Sequence, residues 1–180
     1  MTWNGDAFPF PSWEADQDLN SAMQNSVNWY FQAIDSQLGI NRVQEFLNKI
    51  EYGNQTTSSN LDLYWSDFSL KISPLEQVTL LKKFNTNEFH LNFQNVFSVK
   101  NAIKIASTPN GNFYGKTGTG RVNGQDINGW FIGYVETSDN SYYFATNIQS
   151  DSNATGKKAF EITSDILKKL HTVSYTHLRA

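Results

Sequence analysis

The run from Asn128 to Glu136 limits the possible folds most. Trp130, Ile132 and Tyr134 alternate with Phe131 and Val135, so a strand here is apolar on both faces. Such a strand must be covered on both sides, which makes it central in a sheet with a layer above and below. Ser138-Asp139-Asn140 then turns the chain into a second strand, about Tyr142 to Gln149, as an antiparallel hairpin. A further strand, about Asn112 to Thr117, precedes them after a turn at Pro109-Asn110-Gly111. Helical patterns lie before and after these strands. The expected fold is α+β, a three-layer α/β/α sandwich with an antiparallel sheet flanked by helices.

The helices follow from spacing and end signals. Residues 1–13 read as loop, because Gly5, Pro9 and Pro11 break any regular element. From about Asp16, Leu19, Ala22, Met23, Ser26, Val27, Tyr30, Ala33, Ile34 and Leu38 recur at three and four. Gly39 ends that segment. Asn41 reads as the cap of a helix through Ile50, with Gln44 completing a capping box. Ser73-Pro74-Leu75-Glu76 is a strong helix start, running to about Phe84. Another helix covers roughly Asn92 to Lys104. The last, about Thr155 to Leu170, presents Ala159, Ile162, Ile166 and Leu170. Residues 1–171 form one domain portion, and 172–180 continue no element and read as a disordered or extraneous tail.

Composition narrows the function. A formal charge of -3 with no basic run argues against nucleic acid. Without cysteine there is no disulfide and no thiolate metal site. His90, His171 and His177 are scattered, so no metal site is expected. No stretch is apolar and long enough to span a membrane as a helix.

Tyr114-Gly115-Lys116-Thr117-Gly118-Thr119-Gly120 carries the most chemistry. A lysine, a hydroxyl and glycines that admit a ligand to the backbone suit an anionic ligand whose carbonyl is to be attacked. A solvated lysine before a turn accounts for the same residues. Gly118-Thr119-Gly120 leads into a polar loop and another strand, which leaves no helix start to hold a phosphate. Ser26-Val27-Asn28 reads as a helix cap, or as a proton-relaying serine with an asparagine that fixes an amide. Tyr52-Gly53-Asn54 reads as a turn. Trp65, in Leu61-Asp62-Leu63-Tyr64-Trp65, reads as core.

Taken together and in this order, these segments resemble the serine β-lactamase and penicillin-recognising superfamily. The likeness is greatest to class D β-lactamases and the penicillin-sensing domains of Gram-positive receptors. The resembling residues are Trp13, Asp18-Leu19, Ser26-Val27-Asn28-Trp29-Tyr30-Phe31, Tyr52-Gly53-Asn54-Gln55, Leu61-Asp62, Trp65, Ile72-Ser73-Pro74, Lys116-Thr117-Gly118 and Gly129-Trp130-Phe131-Ile132-Gly133. They span about residues 3–170.

The resemblance implies acyl transfer, in which a serine opens the lactam and water releases the acyl group. It implies that Ser26 passes a proton to the leaving nitrogen, that Lys116 supplies charge, and that Thr117 binds the substrate carboxylate beside Gly118. The Thr119 N–H would donate to the oxyanion. Trp65 would hydrogen-bond the base, a carboxylated lysine that needs carbon dioxide but no metal or organic cofactor. Trp130 would pack beneath the sheet. The implied partners are β-lactam antibiotics. The implied place is extracytoplasmic, with any membrane attachment outside these residues. A penicillin-sensing receptor domain and a transpeptidase are the alternatives to hydrolysis.

Three features depart from the pattern. Asn28 stands where many class D enzymes carry an apolar residue. The family's arginine near the last helix is absent, with Lys157 or Lys158 in its place and no bidentate fork. No serine in the chain has a lysine three residues later. Thr79-Leu80-Leu81-Lys82 and Thr155-Gly156-Lys157-Lys158 have that spacing with threonine, but they lie after Trp65 and at the last helix. The expectation is an N-terminally truncated piece, with the first strands, the nucleophile and its lysine upstream, and no activity of its own.

Overall fold

In a computed structural model, residues 1–57, 61, 64–108 and 111–170 are described. They fall into two units: Ser73–Thr86 with Lys104–Ala180, which carries the sheet, and Met1–Ile72 with Asn87–Ile103, which is helical. Most of the expected turn at Pro109-Asn110-Gly111 and the tail 172–180 lie outside the described residues.

The sheet unit holds β1 (Lys104–Thr108), β2 (Gly111–Val122), β3 (Gln125–Glu136) and β4 (Ser141–Gln149), antiparallel and in chain order. Its register aligns Tyr114, Tyr134 and Tyr143 in one row and Gly115, Gly133 and Phe144 in the next. Side chains alternate along each strand. Phe113, Phe131, Val135 and Phe144 therefore share one face, and Tyr114, Trp130, Tyr134 and Tyr143 the other. Helix α6 (Gly156–Lys169) covers the first face with Ala159, Phe160 and Leu167. Phe131 meets Phe160 edge-on at 4.9 Å and Phe113 at 5.9 Å, contacts worth about 0.5–1.5 kcal/mol each beyond their burial. Helix α4 (Pro74–Asn85) packs on β3 and β4. Its Asn85 Nδ2 donates to the Tyr143 hydroxyl at 2.8 Å, on the second face. β3 is thus covered on both sides, and the unit is a three-layer sandwich in itself.

Helix α4 starts where the sequence places it. Ser73 accepts from the Glu76 amide, and Glu76 accepts in return from the Ser73 amide. That reciprocal bonding holds the Glu76 carboxyl below its usual range.

Other expectations need correction. Lys104 does not end a helix: α5 (Phe93–Ala102) stops earlier and Lys104–Thr108 pairs with β2. Five residues are too few to tell a strand from a helix end by periodicity. β2 does not stop at Thr117 either. It runs to Val122, because β3 continues opposite it. No polar loop follows Gly120. Asn123 and Gly124, with φ of 49° and 78°, form a tight hairpin turn, the conformation that an Asn-Gly pair favours.

The buried face of α6 also differs. Ala159, Thr163 and Leu167 face the sheet, while Ile162, Ile166 and Leu170 are exposed. Between helix and sheet, the Thr146 and Thr163 hydroxyls share a 2.6 Å hydrogen bond. Small side chains let helix and sheet approach, which a pattern of large aliphatics does not reveal.

In the helical unit the single helix expected from Asp16 to Leu38 is two, α1 (Leu19–Gln24) and α2 (Asn28–Leu38). The break is at Ser26, whose φ of 52° no helix accommodates. Gly39, at φ 79°, ends α2 as expected and also leads into α3 (Ile40–Lys49). Asn41 therefore caps nothing. Gln44 forms no capping box, and its side chain bonds the Gln55 carbonyl at 2.5 Å and the Thr57 hydroxyl at 2.7 Å. Asn92 caps α5 through its side chain, and α1 packs against α5. Val43, Leu47 and Tyr64 form a small core, flanked by Tyr52, Leu61, Trp65 and Leu70.

Candidate functional site

In the sheet unit, Lys116, Thr117, Gly118 and Thr119 lie mid-strand on β2. β1 pairs with β2 only as far as Tyr114, so these four follow the point where that pairing ends. Thr117, Gly118 and Thr119 are exposed and Lys116 is half-buried. Lys116 and Thr117 project to opposite faces, as neighbours on a strand must. The Lys116 ammonium donates to the Thr117 carbonyl at 2.9 Å. Burial holds its pKa below the usual lysine value, since a low-dielectric setting disfavours the charged form. The segment therefore offers a lysine eased toward giving up its proton, beside an exposed hydroxyl and accessible backbone.

The start of α6 is fastened to that same segment. The Gly156 amide donates to Thr119 Oγ1 at 2.9 Å. A Cβ on Gly156 would stand 2.7 Å from the Gly118 carbonyl oxygen, and one on Gly129 would stand 2.4 Å from the Thr155 carbonyl oxygen. Both positions need glycine for the helix to lie so close. Lys157 follows Gly156 in the first turn and is exposed. Lys116, Thr117, Gly118, Thr119 and Lys157 are thus gathered at one end of the unit. Sequence reasoning missed Gly156 and the side chain of Thr119. Thr155 as a helix cap followed by Gly156 was the available signal, because glycine is a poor helix residue unless close packing demands it.

The helical unit holds Ser26, Asn28 and Trp65. Neither Ser26 nor Asn28 caps α2. Val27 occupies the cap position without a side-chain bond, and Asn28 is the first helical residue. The left-handed turn at Ser26 is held by bonds from the Ser26 and Val27 amides to the Met23 and Ala22 carbonyls. The Trp13 indole adds a bond to the Asn25 carbonyl at 3.0 Å. A non-glycine residue in this conformation costs about 1–2 kcal/mol, so the serine is presented against a backbone preference. Trp65 is half-buried on the small core, next to Tyr64. The Tyr64 hydroxyl donates to Asp35 of α2 at 3.2 Å. Burial first, then the Asp35 carboxylate, pushes the Tyr64 phenol well above its usual range.

Among the described residues no group of histidine, aspartate and glutamate is arranged to hold a metal ion. No helix there is long and apolar enough to cross a membrane.

Comparison with known proteins gives this geometry a family. The chain is 48% identical over 169 residues to the regulatory protein BlaR1 of Bacillus licheniformis, covering 94% of this chain and 28% of that protein. It is 39% identical over 167 residues to the probable β-lactamase YbxI of Bacillus subtilis strain 168, covering 93% of this chain and 60% of that one. The chain thus spans less than two thirds of either relative. Among solved structures, the C-terminal domain of the Bacillus licheniformis BlaR penicillin-receptor superposes with a TM-score of 0.92 at 46% identity, covering 96% of this chain and 70% of that one. The model of the penicillin binding protein transpeptidase domain matches residues 1–168. The chain therefore belongs to the penicillin-binding transpeptidase family, and its close homologues there are the regulatory protein BlaR1, methicillin resistance mecR1 proteins and class D β-lactamases.

Proposed function

We propose that this domain binds β-lactams and forms part of a serine acyl-transfer site, and that its parent protein is a β-lactam sensor. The carrying observation is the β2 segment, where a half-buried Lys116 of lowered pKa adjoins the exposed Thr117, Gly118 and Thr119. Thr117 binds the carboxylate of the ligand, with Gly118 leaving room for its approach. The Thr119 N–H stabilises the oxyanion, a contribution of about 3–4 kcal/mol in sites of this kind. Lys157 takes the place of an arginine as a second carboxylate partner. Ser26 relays a proton to the lactam nitrogen as the C–N bond breaks and the acyl C–O bond forms. Asn28 fixes the ligand amide, and Trp65 holds the base.

The nucleophile lies outside these residues, since no serine among them has a lysine three positions on. The 180 residues alone are therefore predicted to take up no acyl group. The parent protein acts outside the cytoplasm.

Sensing is favoured over hydrolysis by the 48% identity to the regulatory protein BlaR1, beside 43% identity to a methicillin resistance mecR1 protein of Staphylococcus aureus, across 94–95% of the chain. Hydrolysis is the second reading, supported by the 39% identical probable β-lactamase and by class D structures at TM-score 0.90 and 0.89. Fluorescent penicillin separates the two. A full-length sensor labels once and keeps its label, and Lys116→Ala slows labelling about a hundredfold. Enzyme-level turnover of a chromogenic cephalosporin transfers the assignment to hydrolysis. A folded full-length protein that takes no label rejects both.

A further inference from the structure

Tyr52-Gly53-Asn54 is more than a turn. The Asn54 side chain spans the backbone of a distant segment: its Nδ2 donates to the Ser69 carbonyl at 2.8 Å, and its Oδ1 accepts from the Lys71 amide at 2.9 Å. The Asn54 amide adds a bond to the Lys71 carbonyl at 2.9 Å. Gly53 makes the approach possible. Its φ is 49°, and a Cβ there would stand 1.8 Å from the Lys71 carbonyl oxygen.

The clamped segment in turn grips the peptide that precedes Trp65. The Tyr64 carbonyl accepts from the Leu70 amide at 3.1 Å and from Ser69 Oγ at 3.0 Å. Asp67 closes the same loop by accepting from the Ser69 amide at 2.8 Å. Tyr52 and Leu70 pack with Trp65 around Tyr64. From Asn54 to Trp65 there is an unbroken path of main-chain contacts.

We propose that Asn54 is a positioning residue, which sets the place of the Trp65 indole by clamping Ser69–Lys71. Its importance for acylation rests on the role assigned to Trp65 above; the clamp itself does not. Asparagine suits the task because one side chain must donate to a carbonyl and accept from an amide at once. Aspartate can do so only when protonated.

The test is ¹⁹F NMR of the full-length protein labelled with 5-fluorotryptophan, with the Trp65 signal assigned by its loss in Trp65→Phe. In Asn54→Ala that signal shifts and broadens while those of Trp3, Trp13, Trp29 and Trp130 stay in place, and labelling by fluorescent penicillin slows about tenfold or more. In Asn54→Asp the Trp65 signal is displaced at about pH 7 and returns toward its native position at about pH 4, as the carboxyl regains a proton to donate to Ser69. A merely destabilising change would not recover on acidification. Should Asn54→Ala unfold and scatter the other tryptophan signals as well, the Asn54→Asp titration decides. An unmoved Trp65 signal in folded Asn54→Ala, or a pH-independent one in Asn54→Asp, overturns the proposal. If Trp65→Phe still acylates normally while Asn54→Ala moves the Trp65 signal, the clamp stands and the catalytic role of Trp65 falls.

Discussion

The two site-bearing regions are held in place by different means. Lys116 to Thr119 sit on a strand whose register with β3 runs without interruption from Asn112 to Gly120. Ser26 and Trp65 sit in irregular backbone, placed by a few individual hydrogen bonds, among them those from the Ser26 and Val27 amides, Trp13, Ser69 and Leu70. A sheet shares its restraint over many residues, so one lost side chain moves little. A turn concentrates its restraint, so one lost bond can move the residue it presents. The exception in the sheet unit is where α6 presses on the strands, because that contact also depends on single positions.

That exception gives the largest expected effect. Gly129→Ala should cost about 3 kcal/mol or more by urea unfolding of the full-length protein. Its Cβ would stand 2.4 Å from the Thr155 carbonyl oxygen, a backbone atom with no rotamer to yield. Gly124→Ala is the control. It has positive φ but open space around it, so it should cost about 1 kcal/mol. Equal losses in the two would show that the closeness of helix to sheet is not what holds this end of the unit.

A smaller effect probes the helical unit. Tyr64→Phe removes the hydroxyl that donates to Asp35 and should cost about 1 kcal/mol. If the restraint on this region is concentrated as argued, the same variant should broaden amide signals of residues 64–70 in ¹H–¹⁵N spectra. An unchanged spectrum would mean that the bonds to the Tyr64 carbonyl suffice without the tether to α2.

The contrast also explains what the sequence could and could not disclose. Strand β3 was legible because alternating apolar residues on two faces are a direct record of two covered faces. The start of α4 was legible because Ser73, Pro74 and Glu76 act within one turn. Lys116-Thr117-Gly118 was recognisable as a motif, but its length of strand was not, since Gly118-Thr119-Gly120 reads as leading into a polar loop although pairing with β3 carries the strand past it. The break at Ser26 was hidden because Leu19 to Leu38 keeps helical spacing across it. At Asn54 the turn Tyr52-Gly53-Asn54 was legible, but the clamp was not. Its partners are Ser69 and Lys71, and a bond between residues 15 and 17 positions apart has no periodicity to read.

The smallest effect tests the lysine itself. Lys116 has its pKa lowered by burial, so the folded state binds its proton less tightly than the unfolded chain does. A charged Lys116 is then a stability penalty, complete below the folded-state pKa. As pH rises from that value toward the ordinary lysine pKa of about 10.5, the unfolded chain keeps its proton while the folded one sheds it, and stability rises. Lys116→Met carries no such penalty. It should therefore melt slightly higher than the wild type at about pH 7, with the difference shrinking as pH approaches about 10.5. The same substitution should slow penicillin labelling of the full-length protein about a hundredfold, as Lys116→Ala does, so that a gain in stability accompanies a loss of function. A variant less stable than the wild type at pH 7 would instead mean that the bond to the Thr117 carbonyl outweighs the burial of the charge. Lys116 would then belong with the residues of the helical unit that individual hydrogen bonds hold, rather than with the register-held strand.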